Sequence, residues 1–136
     1  GDGVKLADTA LIEDGRVVGY FGSHRFASYL GEPETGELRC MTVASGTLTD
    51  AELDAMPHIE CVSLSGLQVD LYNDYIGGEI RLAYRHADGK AEPITGITMS
   101  AKLSEVLDTM RLSERIEVRE RCAGPARLLL RGVKIM

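Results

Sequence analysis

Residues 61–72 read CVSLSGLQVDLY, and the spacing of their apolar side chains decides the fold class. Val62 and Leu64 alternate with serines; beyond Gly66 the alternation resumes at Leu67, Val69 and Leu71, shifted out of phase. A period of two is the pattern of a strand with unlike faces. A glycine at a phase change marks a bulge, where an extra residue fits without a Cβ in the way. The stretch therefore predicts sheet rather than linker.

The same reading extends in both directions. Downstream, Ile80, Leu82 and Tyr84 alternate in a second strand, Asp88-Gly89 supplies a turn, and another strand is expected over Ile94–Met99. Pro93 has no N–H to give a ladder, which favours an edge or a strand start. Leu103, Val106, Leu107 and Met110 recur at helical spacing and predict an amphipathic helix with its apolar stripe on the sheet. Ile116–Arg119 and Leu128–Ile135 read as closing strands separated by Gly124-Pro125.

Upstream, Leu6–Ile12 and Arg16–Phe21 read as a hairpin joined by Glu13-Asp14-Gly15. Ser23–Leu30 reads as a short helix with Phe26 and Leu30 on one face, followed by the interruptions Gly31, Pro33 and Gly36. Cys40–Ala44 suggests a short strand. Thr49-Asp50-Ala51-Glu52 then forms a capping box for a helix through about Ala55, which Pro57 prevents from continuing. Turn-separated strands outnumber helices and no regular βαβ spacing occurs. The expected class is α+β to mainly β: an antiparallel sheet or sandwich with two or three short packed helices.

At 136 residues, 44% of them hydrophobic and 26% charged, residues 1–136 are expected to form a single domain with a packed core. The formal net charge of -6 opposes a general attraction to phosphate backbones or anionic lipid. Arg111, Arg115, Arg119, Arg121, Arg127, Arg131 and Lys134 lie among carboxylates and read as solvated strand and turn edges. Cys40, Cys61 and Cys122 form no CxxC pair, and His24, His58 and His86 lack the spacing of a self-contained zinc site. No apolar run approaches bilayer length and no signal segment leads the chain, so a cytoplasmic location is expected.

Two places stand out as candidate recognition sites. Tyr72, Asn73, Asp74 and Tyr75, followed by Gly77-Gly78, suit a shaped loop, because glycine permits tight backbone paths and tyrosine joins apolar contact to hydrogen bonding. Thr95, Gly96 and Thr98 suit a peptide-facing junction ahead of the long helix. His58, Glu60 and Cys61, and separately Asp70, Asn73 and Asp74, carry metal-binding atoms, but proximity in sequence does not make them converge, and loop polarity accounts for them.

The order of several segments carries a resemblance. These are DGV at Asp2–Val4, LIEDGRVVGYF at Leu11–Phe21, Thr35-Gly36 followed by Arg39, GGEIRL at Gly77–Leu82, HADGKAEPITG at His86–Gly96, and the helical segment after it. Together they resemble the C-terminal region of the TldD/PmbA family, described as modulators of DNA gyrase and including intracellular zinc metallopeptidases. The resemblance covers nearly the whole chain and implies a domain of a longer protein. Active members carry an HExxxH motif whose histidines hold zinc and whose glutamate moves a proton; this chain has none, so on its own it is expected to be inactive. Family members also give zinc a cysteine from a terminal Cys-Gly segment. The nearest analogue is Cys122-Ala123-Gly124, where the inserted Ala123 departs from the pattern, leaving Cys122 as either a metal ligand or a structural cysteine. The implied partners are a peptide substrate, an upstream catalytic region and a homo- or hetero-oligomeric TldD/PmbA-like protein, with no direct DNA binding and no membrane. The implied role is substrate enclosure or subunit assembly in a peptidase system. The alternative is a noncatalytic protein-interaction domain.

Overall fold

Alternating strand residues bury one face only where a neighbouring element covers it, and the chain resolves this in two separate units. The computed structural model describes residues 3–136; Asp2, at the head of the DGV segment, lies outside the described residues. The first unit runs to Thr42 and takes in Glu120–Cys122; the second comprises Val43–Arg119 and Ala123–Met136.

In the first unit, β1 (Ile12–Glu13) and β2 (Arg16–Val17) pair antiparallel around Asp14-Gly15. Both turn residues have positive φ, 48° and 75°, the arrangement whose twist matches a two-residue hairpin. The strands are shorter than the sequence predicts and Glu13 belongs to the ladder, because Ile12 and Val17 are exposed and have no packed face to extend. The helix α1 (His24–Leu30) ends at Gly31, whose left-handed φ of 69° lets its N–H donate to the Ala27 carbonyl. Ala27 is its buried residue, whereas Phe26 and Leu30 face outward. β3 (Met41–Thr42) follows, with the Met41 N–H donating to the Arg121 carbonyl at 2.8 Å.

The second unit begins with α2 (Asp50–Asp54), and its capping box is complete: Thr49 Oγ1 accepts from the Glu52 N–H while the Glu52 carboxylate accepts from the Thr49 N–H. Then come β4 (His58–Asp70), β5 (Tyr75–Ala87), β6 (Lys90–Ile94), β7 (Ile97–Lys102), α3 (Leu103–Thr109), β8 (Arg111–Leu112), β9 (Ile116–Arg119), β10 (Cys122–Pro125, whose Cys122 belongs to the first unit), β11 (Leu128–Leu129) and β12 (Lys134–Ile135). The main sheet has the order β12-β7-β5-β4, with β6 also on β5. Its named pairs are antiparallel, and with three short helices the expected class is the observed one.

The β4–β5 register shifts between Cys61 and Ser63, between Ser63 and Leu64, and between Ser65 and Gln68, where Gly66 takes a φ of 62°. The phase change seen in the sequence is thus a bulge. Ile80, Ala83 and Met99 form the buried centre of the sheet, flanked by Ile59, Ile76 and Ile97. β4 is the outer strand of this sheet, and Val62, Leu64, Leu67 and Val69 on it remain exposed.

Three expectations are corrected. The strand expected over Ile94–Met99 is broken at Thr95-Gly96, because Gly96 takes a left-handed φ of 67°. The strand expected over Leu128–Ile135 is two short pieces separated by a bend with Gly132 at φ 77°. Gly124-Pro125 is part of β10 rather than a separator; at Gly124 a Cβ would sit 3.3 Å from that of Val43, so the small residue lets the neighbouring segment close in. The helical stripe is also narrower than its spacing suggests. Leu103 and Val106 are buried, Leu107 is half-exposed and Met110 lies just past the helix.

Candidate functional site

The turn between β4 and β5 is built by its own carboxylates. Asp70 accepts the N–H groups of Tyr72 and Asn73 through Oδ1 at 2.9 and 3.0 Å, and the Asn73 side-chain amide through Oδ2 at 2.7 Å. Asp74, at a φ of 50°, reaches the start of α3: its two oxygens accept from the Ser104 N–H and hydroxyl, each at 2.7 Å. Its carbonyl accepts from the Leu103 N–H at 3.2 Å. These bonds stabilise the charged carboxylates and hold both below the ordinary aspartate range, through Asn73 first for Asp70 and through Ser104 first for Asp74.

That division assigns different work to neighbouring residues. Asn73 and Asp74 shape the turn, while Tyr72 is fully exposed and Leu71 is 78% exposed. Tyr75 is the first residue of β5, paired with Lys102. A Cβ at Gly77 would run into the Tyr75 ring and lie 2.8 Å from the Met99 carbonyl, so only a bare backbone lets β7 pass this close. Asp70 is a turn-former, in keeping with the loop polarity expected of it beside Asn73 and Asp74.

Thr95, Gly96 and Thr98 do not join this turn. Tyr75 pairs with Lys102 while Ile80 pairs with Ile97, which puts Thr95-Gly96 at the opposite end of β7. Thr98 has its backbone engaged, donating to the Met136 carbonyl at 2.8 Å and accepting the Met136 N–H at 3.0 Å.

At the other end of the hairpin, His58 and His86 are cross-strand partners with rings stacked 4.4 Å apart and nearly parallel. His86 Nε2 lies 2.9 Å from Glu60, and His58 Nδ1 lies 2.9 Å from the Met56 carbonyl. Arg127 approaches Glu60, Asp50 and Asp54 at 3.4–3.7 Å, and Arg115 bonds Asp50 and Glu117. Arg111 reaches Glu52 and Arg119 reaches Glu117. Four of the seven basic residues singled out in the C-terminal third, Arg111, Arg115, Arg119 and Arg127, thus face carboxylates, whereas Arg131 reaches the Met56 sulfur at 3.8 Å. Nothing local announces the histidine stack, whose members are 28 positions apart.

Cys122 is partly exposed. Among the described residues, no group of three or more His, Cys, Asp or Glu side chains is placed to hold a metal ion. A structural zinc site takes four ligands and a catalytic one three with an open position. One cysteine does not by itself meet that demand. In the first unit an open cleft of about 800 Å³ is lined by Leu6, Phe21, Thr35, Leu38 and Arg39 among others, with Arg39 paired to Glu37 at 3.0 Å. Among the described residues no helix is long and apolar enough to cross a membrane.

A family model described as the PmbA/TldA metallopeptidase C-terminal domain matches residues 1–136. A search of curated proteins returned no match.

Proposed function

The chain belongs to the PmbA/TldA metallopeptidase C-terminal domain family, and from that premise we propose that it is a noncatalytic docking domain whose apolar surface is completed by other protein. One observation carries the reading: eight hydrophobic residues are buried among those described, while twenty-five large ones are exposed. The accessible surface is 10136 Å². A compact monomer of this length exposes about 7,000 Å², and two separate bodies of the sizes of these units about 8,400 Å². The surplus is of the order that obligate interfaces cover.

Within a TldD/PmbA-like system the covering surface would be the upstream catalytic region or a homo- or hetero-oligomeric partner subunit, and the service rendered would be enclosure of a peptide substrate. Tyr72–Tyr75, Thr95, Gly96 and Thr98 are the proposed recognition positions, and Cys122 would contribute to zinc only with ligands supplied from outside residues 1–136. A cytoplasmic setting accords with this role.

The test compares backbone hydrogen exchange of residues 1–136 alone with that of the full-length protein and its native partner. Protection gained over Val62–Val69 and Ile116–Val118 in the assembled protein is the expected result. Equal exchange in both states would reject the docking role.

A further inference from the structure

The β4–β5 turn is hydrogen-bonded from within, yet what it presents is apolar. Asp70 and Asp74 together accept five side-chain or backbone donors that fix the path from residue 70 to residue 74 and tie it to α3. Yet Tyr72, at full exposure, and Leu71, at 78%, stand at its end. An aromatic and an aliphatic side chain on a backbone already ordered lose little further freedom on docking, the condition under which tyrosine becomes an interface anchor. Val69 and Leu67 extend the apolar surface along β4.

The charge around the turn selects the partner. Asp70 and Asp74 place two carboxylates in the turn itself, and the start of α3 to which Asp74 is bonded adds Glu105, paired with Lys102 at 3.2 Å. Acidic surroundings repel nucleic-acid phosphates and anionic lipid headgroups, and favour a surface carrying lysine or arginine.

We propose that Leu71 and Tyr72 form a preformed anchor that inserts into an apolar pocket on another protein surface, rimmed by cationic side chains that face Asp70 and Asp74. This rests on the docking role and names its contact point: Leu71 and Tyr72 touch the partner, while Asp70, Asn73 and Asp74 position them. The recognition loop is thereby divided into contact and support.

The experiment places the photocrosslinker p-benzoylphenylalanine at position 72 of the full-length protein in cells, with the same substitution at exposed Tyr29 as control, and maps the product by mass spectrometry. The expected product from position 72, absent from position 29, joins a protein segment containing apolar residues flanked by lysine or arginine. Affinity for that isolated protein should fall about 30-fold in Tyr72→Ala, remain within about threefold of wild type in Tyr72→Phe, and weaken as sodium chloride is raised. Tyr72 touches no core residue, so circular dichroism of Tyr72→Ala should match wild type. Crosslinks to lipid or nucleic acid, no site-specific protein product, or unchanged affinity in Tyr72→Ala would overturn the anchor. If hydrogen exchange still shows the rest of the domain covered, the anchor alone has failed; if it does not, the docking role has failed with it.

Discussion

Asp74 shows how a single side chain takes its structural work from a partner far along the chain. Its carboxylate accepts from Ser104, thirty positions along the chain, and those bonds hold it ionised below the ordinary value of 3.8. A depressed carboxylate contributes stability that is present above its unfolded value and disappears as pH falls through its folded one. Asp74→Asn should therefore be less stable than wild type at pH 7, and the gap should close as acid protonates the wild-type carboxylate below about pH 4. Urea denaturation of both proteins at neutral and acid pH measures this, and a gap that persists unchanged in acid would show that charge is not the cause. The cap at Thr49 was legible because its partner, Glu52, lies one helical turn away. The cap from Asp74 was not, because only folding brings Ser104 to it.

Strand alternation survived translation into structure where two strands could be paired along their length. The hairpin of β4 and β5 is longer than the sequence suggested, and its bulge falls at Gly66 as the phase change required. The narrow passage at Gly77 is a different matter, since nothing local announces that the Met99 carbonyl would lie 2.8 Å from an added Cβ. Gly77→Ala should push β7 away from β5 and cost about 1–3 kcal/mol, the range for overpacking. Thermal denaturation would show the loss, and faster exchange at β7 amides would place it. Short strands fared worse: Leu128–Ile135 has a strand-like composition, but the bend with Gly132 at positive φ divides it, and β11 pairs β8 while β12 pairs β7.

Across the whole molecule, the surplus of exposed apolar side chains is the dominant fact. Residues 1–136 produced alone should bind the dye ANS and associate as concentration rises, and both behaviours should diminish in the full-length assembly; fluorescence and sedimentation read them directly. A monodisperse, ANS-silent isolated chain would remove the basis of the docking role. Residues 1–136 produced alone should contain no stoichiometric zinc, since no convergent ligand set exists among the described residues.

By itself the sequence determined the antiparallel class, the bulge, the capping box, the turns at Asp14-Gly15 and Asp88-Gly89, and the family, because each is carried by spacing or by residues near one another along the chain. Tertiary structure alone decided that Asp70 and Asp74 are scaffolding, that Phe26, Leu30 and Leu107 stay uncovered, that the two histidines stack, and that Thr95-Gly96 lies away from Tyr72. Those outcomes depend on which distant segment arrives at a given face, and hydrophobic periodicity marks a face as buriable without saying what will cover it.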